Sequence, residues 1–469
     1  MALGDTDNSG GITTLANALA LNGGTLRDAF GNDASLATSS VVTNTNSVVV
    51  ETNANALASL ADAADNNTAA SNNTPLALYE RAGATGVTPS NLSAINSALN
   101  SAAVVGTQVD TLAELQSVVD AYRAVLALAD GAVSAGNDVS ATQFAAIGVT
   151  GIASTTPNAA SVAAKDKASL LSTVIDRKQS TDVDTVAEIQ TLADAVTAVM
   201  QAANGVTSGQ GALTKAQLEA LGITGVTDNN LTEVLAKIDS TPDDGSSVNS
   251  LSALQYVVDQ AVNATRQAAL TTIGNFAADN TSSAPVSGNA SYVGTAPTLR
   301  DYANAGVTGV GNNLASINDA LATNSVNRAA VDTTAEIQAL VDAYGAVFAL
   351  ADGTANSGTA LSAAQLAQVG VSLGNAATLS GNLGLLNNVL DLKSTADVDR
   401  VSEINALASI TNAMQDSVGN ASASNALTAT DFSTIGLNNV NSTNLAGIRE
   451  SIPTNRRPTR WTRCKNCKT

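Results

Sequence analysis

The chain has 469 residues, 44% hydrophobic but only 3% aromatic and 13% charged, with a formal net charge of −19 and no His. Aliphatic surface is plentiful, but it comes as small side chains, so each folding unit is expected to be marginally stable. The lack of His, and of Cys outside the last residues, excludes the common catalytic triads and most transition-metal centres, and the acidic surface repels nucleic acid and anionic lipid.

No run of 18 apolar residues occurs, so no membrane-spanning helix is expected. The opening Met1-Ala-Leu-Gly-Asp5 lacks the basic and apolar regions of a signal peptide, which places any export signal elsewhere, in a longer parent protein.

Residues 1–75 are rich in Asn, Thr, Ser and Gly and read as a degenerate or irregular repeat region. Asp5-Thr-Asp7-Asn-Ser9-Gly10-Gly-Ile12 has the oxygen spacing of a calcium loop, but Ala16 stands where an EF-hand needs a bidentate Glu. Two readings stand: a plain polar turn, or a weak calcium site on Asp5, Asp7 and Ser9, calcium being the one cofactor in question. Val50 to Leu57 reads as a worn copy of the long helix described next.

From residue 76 a helical pattern takes over. A short helix starts at Asn91-Leu92, with Ile95 and Leu99 on one face, and recurs at Asn230-Leu231, Asn313-Leu314 and Asn444-Leu445. A long helix follows, opened by Val109-Asp-Thr-Leu-Ala-Glu-Leu-Gln116. Copies begin at Val183 and Val331, and looser ones at Val248 and Val398, so the starts lie 74, 65, 83 and 67 residues apart. Thr111 with Glu114, Thr185 with Glu188 and Thr333 with Glu336 form capping boxes, each partner satisfying an orphan amide of the first turn. Leu112, Leu115, Val119, Tyr122 and Leu126 give one apolar stripe, and Tyr122, Tyr256 and Tyr344 are assigned to the core.

The loops from Asp130-Gly131 to Asp138 and from Asp352-Gly353 to Gly358 are acidic but lack a ligand set, and read as turns. Another short helix follows, starting with a capping box at Ser140 and ending at Gly148, with copies at Thr214–Gly222, Ser362–Gly370 and Thr428–Gly436. Connectors such as Gly148-Val-Thr-Gly151, Gly222-Ile-Thr-Gly225 and Gly306-Val-Thr-Gly309 link the two short helices. The expected fold is therefore all-α: tandem small three-helix bundles, each short, short, long. The boundaries are 76–130, 139–204, 213–273, 296–352, 361–417 and a truncated repeat at 427–452, with a polar insertion at 274–295.

The segment 453–469 departs abruptly in composition. Six basic residues fall within it, which leaves −25 on the rest of the chain once they are set apart from −19. Trp461-Thr462 is encoded by TGG-ACN, so the neighbouring frame reads a codon ending in TG and then GAC, Asp. Continued to Thr469, that frame permits Val-Asp-Thr-Leu-Gln-Glu-Leu-Gln-Asp, the long-helix motif, 63 residues beyond Val398. The expectation is a frameshifted tail, which makes the Cys464-Lys-Asn-Cys467 pair and the basic charge accidental. One Cys pair without His or a second pair also fails to close a tetrahedral zinc site. Reading the DNA decides the matter.

The repeated Asp-Thr-x-x-Glu imitates a pair of catalytic carboxylates, but capping and the helix dipole account for it at every long-helix start. The sequons Asn263-Ala-Thr and Asn289-Ala-Ser are what chance gives in so Asn- and Thr-rich a chain.

The repeat resembles the tandem helical repeats of very large bacterial surface and biofilm adhesins. Leu213-Thr-Lys-Ala-Gln-Leu-Glu-Ala-Leu-Gly-Ile-Thr-Gly-Val-Thr-Asp228 is similar to the three-helix GA modules of bacterial surface proteins. The resemblance covers residues 76–452 and implies an extracellular, cell-surface location. The expected role is a non-enzymatic spacer or stalk segment whose partners are the neighbouring repeats. The alternatives are an array of modules that bind a host or matrix protein, and a truncated gene fragment without its own role. No nucleic acid and no membrane insertion are expected.

Overall fold

A computed structural model describes residues 24–27, 33, 53–66, 73–133, 138–152, 160–209, 211–278, 295–355 and 358–454. Among them the chain is all-helical: no strand forms, and the extended pairings are isolated bridges, Arg27 with Asp33 and Asp130 with Gln179. No described helix is long and apolar enough to cross a membrane. The chain divides into two compact units, Met1–Gln260 and Ala261–Thr469.

The long helices are Leu112–Leu128, Val186–Ala203, Leu251–Ala278, Thr334–Leu350 and Val401–Asp416. Their starts follow from local chemistry. At Thr111, Thr185 and Thr333 the hydroxyl accepts from the Glu amide three residues on, at 3.3 Å each, while the Glu carboxylate accepts from the Thr amide at 3.0–3.2 Å. The looser copies keep half a box each. Ser250 Oγ accepts from the Ala253 amide at 3.2 Å, and Glu403 accepts from the Arg400 amide at 3.0 Å.

The short helices after the loops, such as Ala141–Ala146 and Lys215–Ala220, begin in Ser/Thr–Gln boxes. The second of these runs into Gly222, whose φ of +89° only glycine adopts without strain, as the left-handed helix stop requires. Leu92–Leu99, Leu231–Asp239 and Leu314–Leu321 are the predicted Asn-Leu helices, and Leu445–Thr454 is the last.

Leu112–Leu128, Val186–Ala203, Thr334–Leu350 and Val401–Asp416 each pack against helices on both sides in sequence. Within the first unit, Leu112–Leu128 touches Leu92–Leu99 before it and Ala141–Ala146 after it. Within the second unit the buried side chains form one continuous cluster from Ala269 to Ile452. The small cores expected of separate bundles are merged there, because one long helix serves the elements on both sides of it.

Two expectations about side chains need correction. Tyr256 is 64% exposed, whereas Tyr122 and Tyr344 are fully buried. The reason is register: Tyr122 and Tyr344 lie six residues beyond the motif Gln, but Tyr256 is its immediate neighbour and falls on the solvent side with Ser117. Leu112 is 41% exposed at the helix start, and Leu126 is only partly buried; the buried face runs instead through Leu115, Val118, Val119, Tyr122, Val125 and Leu128. The long helix that starts at Leu251 continues beyond 273, with Ile273, Phe276 and Ala277 buried.

Candidate functional site

The calcium-loop candidates Asp5, Asp7 and Ser9 lie outside the described residues, as do Cys464, Cys467 and the basic tail. Among the described residues no three His, Cys, Asp or Glu come together as a metal site. The acidic loops begin as turns closed by their own Asp: Asp130 Oδ1 accepts from the Ala132 amide at 2.8 Å and Asp352 Oδ1 from the Thr354 amide at 2.7 Å.

The paired carboxylates are engaged at the helix starts. Hydrogen bonding to Thr111 holds the Glu114 carboxyl below its ordinary range, and Thr333 does the same for Glu336. Asp110 is pushed up by its hydrogen bond to Glu114, and Asp184 by partial desolvation with the Glu188 charge adding to it. These shifts have capping, partial desolvation and neighbouring charge as their causes.

What recurs instead is a set of joints. The Gln that closes the long-helix motif reaches the connector between the two short helices and pairs with one backbone unit from both sides. Gln116 Oε1 accepts from the Thr85 amide at 2.9 Å and its Nε2 donates to the Thr85 carbonyl at 3.0 Å. Gln190 does the same to Thr150 at 2.8 and 3.3 Å, Gln255 to Thr224 at 3.0 and 3.1 Å, and Gln338 to Thr308 at 2.8 and 3.1 Å. In the fifth copy Asn405 substitutes, accepting from the Ser372 amide at 2.6 Å. Each of the four Gln amides also donates to an Asp four residues on, at 2.7–2.9 Å, which fixes its orientation. The connector is braced from its other end by the Asn of the Asn-Leu pair. Asn230 accepts from the Thr227 amide at 2.7 Å and donates to the Gly225 carbonyl at 3.0 Å, and Asn91 and Asn444 make the same two bonds.

A second joint ties the start of a long helix back to an earlier helix, which is Leu92–Leu99, Ala160–Ile175 or Leu314–Leu321; the second of these is 16 residues long and departs from the short helix expected there. The Val186 amide, an orphan of the first turn, donates to Ser97 Oγ at 2.8 Å. Leu251 donates to Thr173 Oγ1 at 2.9 Å, and Val401 donates to Asp319 Oδ2 at 2.7 Å. Alongside, Tyr122 Oη donates to the Val183 carbonyl at 3.3 Å and Tyr344 Oη to the Val398 carbonyl at 3.1 Å. Burial pushes both phenols far above their ordinary range.

A third joint fixes the residue ahead of four of the first short helices. Asn96, Ser172, Asn318 and Asn387 donate to the carbonyls of Thr74, Val139, Pro297 and Leu361 at 2.9–3.1 Å.

Shallow grooves of mixed lining lie along these joints in the first unit. One, of about 700 Å³, is lined by Ser97, Ser101, Thr150, Val186, Gln190 and Asp194. Its side chains are largely those already bonded in the joints. The motif Gln, and the side chains of Ser97, Thr173 and Asp319, carried no assigned role in the sequence. The one available signal for the Gln was its presence, or that of Asn, in all five motif copies. Comparison with protein-family models, with curated proteins and with solved structures gives no match.

Proposed function

We propose that the chain is a non-enzymatic structural spacer, built of successive packets of short, short and long helix, within the stalk of a large secreted bacterial cell-surface adhesin. The observation that carries this reading is the repeated joint from Val186, Leu251 and Val401 back to Ser97, Thr173 and Asp319, across 78–89 residues of sequence. A chain that reuses one joint adds length with every copy, because each packet bonds mainly to its neighbours. The adhesin and cell-surface parts rest on the likeness of Leu213–Asp228 and its repeats to such proteins, and on the acidic composition with Cys only in the tail.

An array of binding modules would place the same exposed apolar patch in each copy. Among the large exposed apolar side chains, Val133 and Val206 stand at similar places in the loops after two long helices, but Leu112, Tyr256, Leu299 and Leu379 occupy different positions and form no shared patch, which favours the spacer.

The test is excision of one period, residues 140–213, so that Val139 joins Thr214. The expected product keeps its helical circular dichroism, and its maximum dimension in small-angle scattering falls by the same step that a duplicated period adds. Collapse of the helical signal, or a dimension indifferent to the number of periods, defeats the reading. Antibody labelling of intact cells tests the location.

A further inference from the structure

Among the described residues, the last packet, from Leu427 to Thr454, has the parts of the others except a long helix over its connector. In earlier packets the apolar residue after the connector's first Gly is buried: Val149, Ile223, Val307 and Val371 are 5% exposed or less, whereas Leu437 is only partly buried. The same holds one turn into the following helix, where Ile95, Val234 and Ile317 are at most 1% exposed but Ile448 is only partly buried. Val440 is likewise less covered than Ile152, Val226 and Val310. The polar half of the joint is open too. Thr85, Thr150, Thr224, Thr308 and Ser372 each meet a Gln or Asn side chain. Among the described residues no such side chain meets the backbone of Asn438, their equivalent.

The rest of the packet is assembled. Phe432 and Ile452 are buried, Asn444 braces the connector, and Arg449 Nε donates to the Leu427 carbonyl at 2.6 Å where Asn96 and Asn318 act elsewhere. Among the described residues the thinner cover is therefore specific to one face.

We propose that this face, formed by Leu437, Val440, Ile448 and the Asn438 backbone, docks an amphipathic helix bearing the aliphatic stripe and terminal Gln of this chain's own long helices. The proposal rests on the packet reading above. Its occupant is argued from the same molecule, because such a helix covers the equivalent face elsewhere. Spacing agrees. Val109, Val248 and Val331 each stand 17 residues beyond Leu92, Leu231 and Leu314, and the shifted frame of the tail begins its Val-Asp-Thr at Trp461, 16 beyond Leu445.

The test adds a fluorescent peptide of residues 109–129 to the full chain and follows anisotropy together with amide exchange at Leu437 and Asn438. Saturable binding with slowed exchange is expected, about tenfold weaker for a Gln116→Ala peptide and lost with an Ile448→Asp chain. A covalent arm replaces residues 453–469 with a copy of residues 100–129, so that weak association in trans does not hide the site. Slowed exchange at Asn438 in either arm, abolished by Ile448→Asp, supports the proposal. Unchanged exchange in both arms, or equal protection in the Ile448→Asp chain, overturns it. Either result leaves the excision experiment to stand or fall on its own.

Discussion

Two joints of the molecule do the same work with different chemistry. In the first unit the orphan amide of Val186 meets the neutral hydroxyl of Ser97; in the second, the amide of Val401 meets the carboxylate of Asp319. The second bond is the shorter, at 2.7 against 2.8 Å, as charge assistance favours. It also requires a carboxylate to be partly desolvated. Burial pushes the Asp319 carboxyl up, the Val401 N–H pulls it back, and the facing charges of Arg400 and Asp399 oppose each other. The hydroxyl joint carries no such cost. One backbone geometry thus accepts any short side chain with a lone pair, and the choice among them sets how the joint responds to pH.

The largest expected effect removes the tyrosine beside each joint. Tyr122→Ala and Tyr344→Ala should each cost about 3–5 kcal/mol, because a fully buried ring leaves a cavity and a carbonyl loses its donor. Urea midpoints followed by amide exchange in the affected unit measure this. A cost below about 1 kcal/mol at either site breaks the equivalence of the two joints.

Next in size is loss of the polar contact alone. Ser97→Ala strands the Val186 amide and should cost about 1–2 kcal/mol, read as faster exchange of that amide. Gln190→Ala, which frees the Thr150 backbone to bond water, should cost about 1 kcal/mol or less.

A smaller effect sharpens the contrast through pH. With its pKa raised on folding, Asp319 binds its proton more tightly in the folded chain. Its contribution to stability therefore falls as pH rises from the ordinary value of 3.8 through the raised one, and stays lower above it. Asp319→Asn keeps an acceptor for Val401 without the charge. Relative to the parent, it should gain stability as pH rises through that window, by well under about 1 kcal/mol after solvent screening. Val401 amide exchange at about pH 3 and about pH 7 reports it. A variant uniformly less stable at both pH values removes the electrostatic part of the comparison.

The smallest effect is at Tyr256, where replacement by Ser should change stability by no more than about 0.5 kcal/mol, since the ring faces solvent. A loss of several kcal/mol would mean that the side chain is covered in solution.

The local half of the fold was legible beforehand because its signals act over three or four residues. A Thr followed three positions later by Glu already contains both partners of a helix cap, and a Gly after an amphipathic run already contains the stop. The joints were not legible for the opposite reason. Gln116 meets Thr85 across 31 residues and Val186 meets Ser97 across 89, and nothing in the local spacing names such a partner. Tyr256 faces solvent because it directly follows the motif Gln, whereas Tyr122 and Tyr344 stand six residues beyond it, and being a tyrosine in a long helix does not by itself set that register.

By itself, the sequence determined that helices form, where the long ones begin and that the chain repeats, since periodicity and capping are properties of short segments. Tertiary structure decided which side chains join one segment to another, that the cores in the second unit merge, and which faces stay open. Those outcomes depend on which amides and carbonyls are left without partners once the helices pack, and that is settled only when distant segments meet.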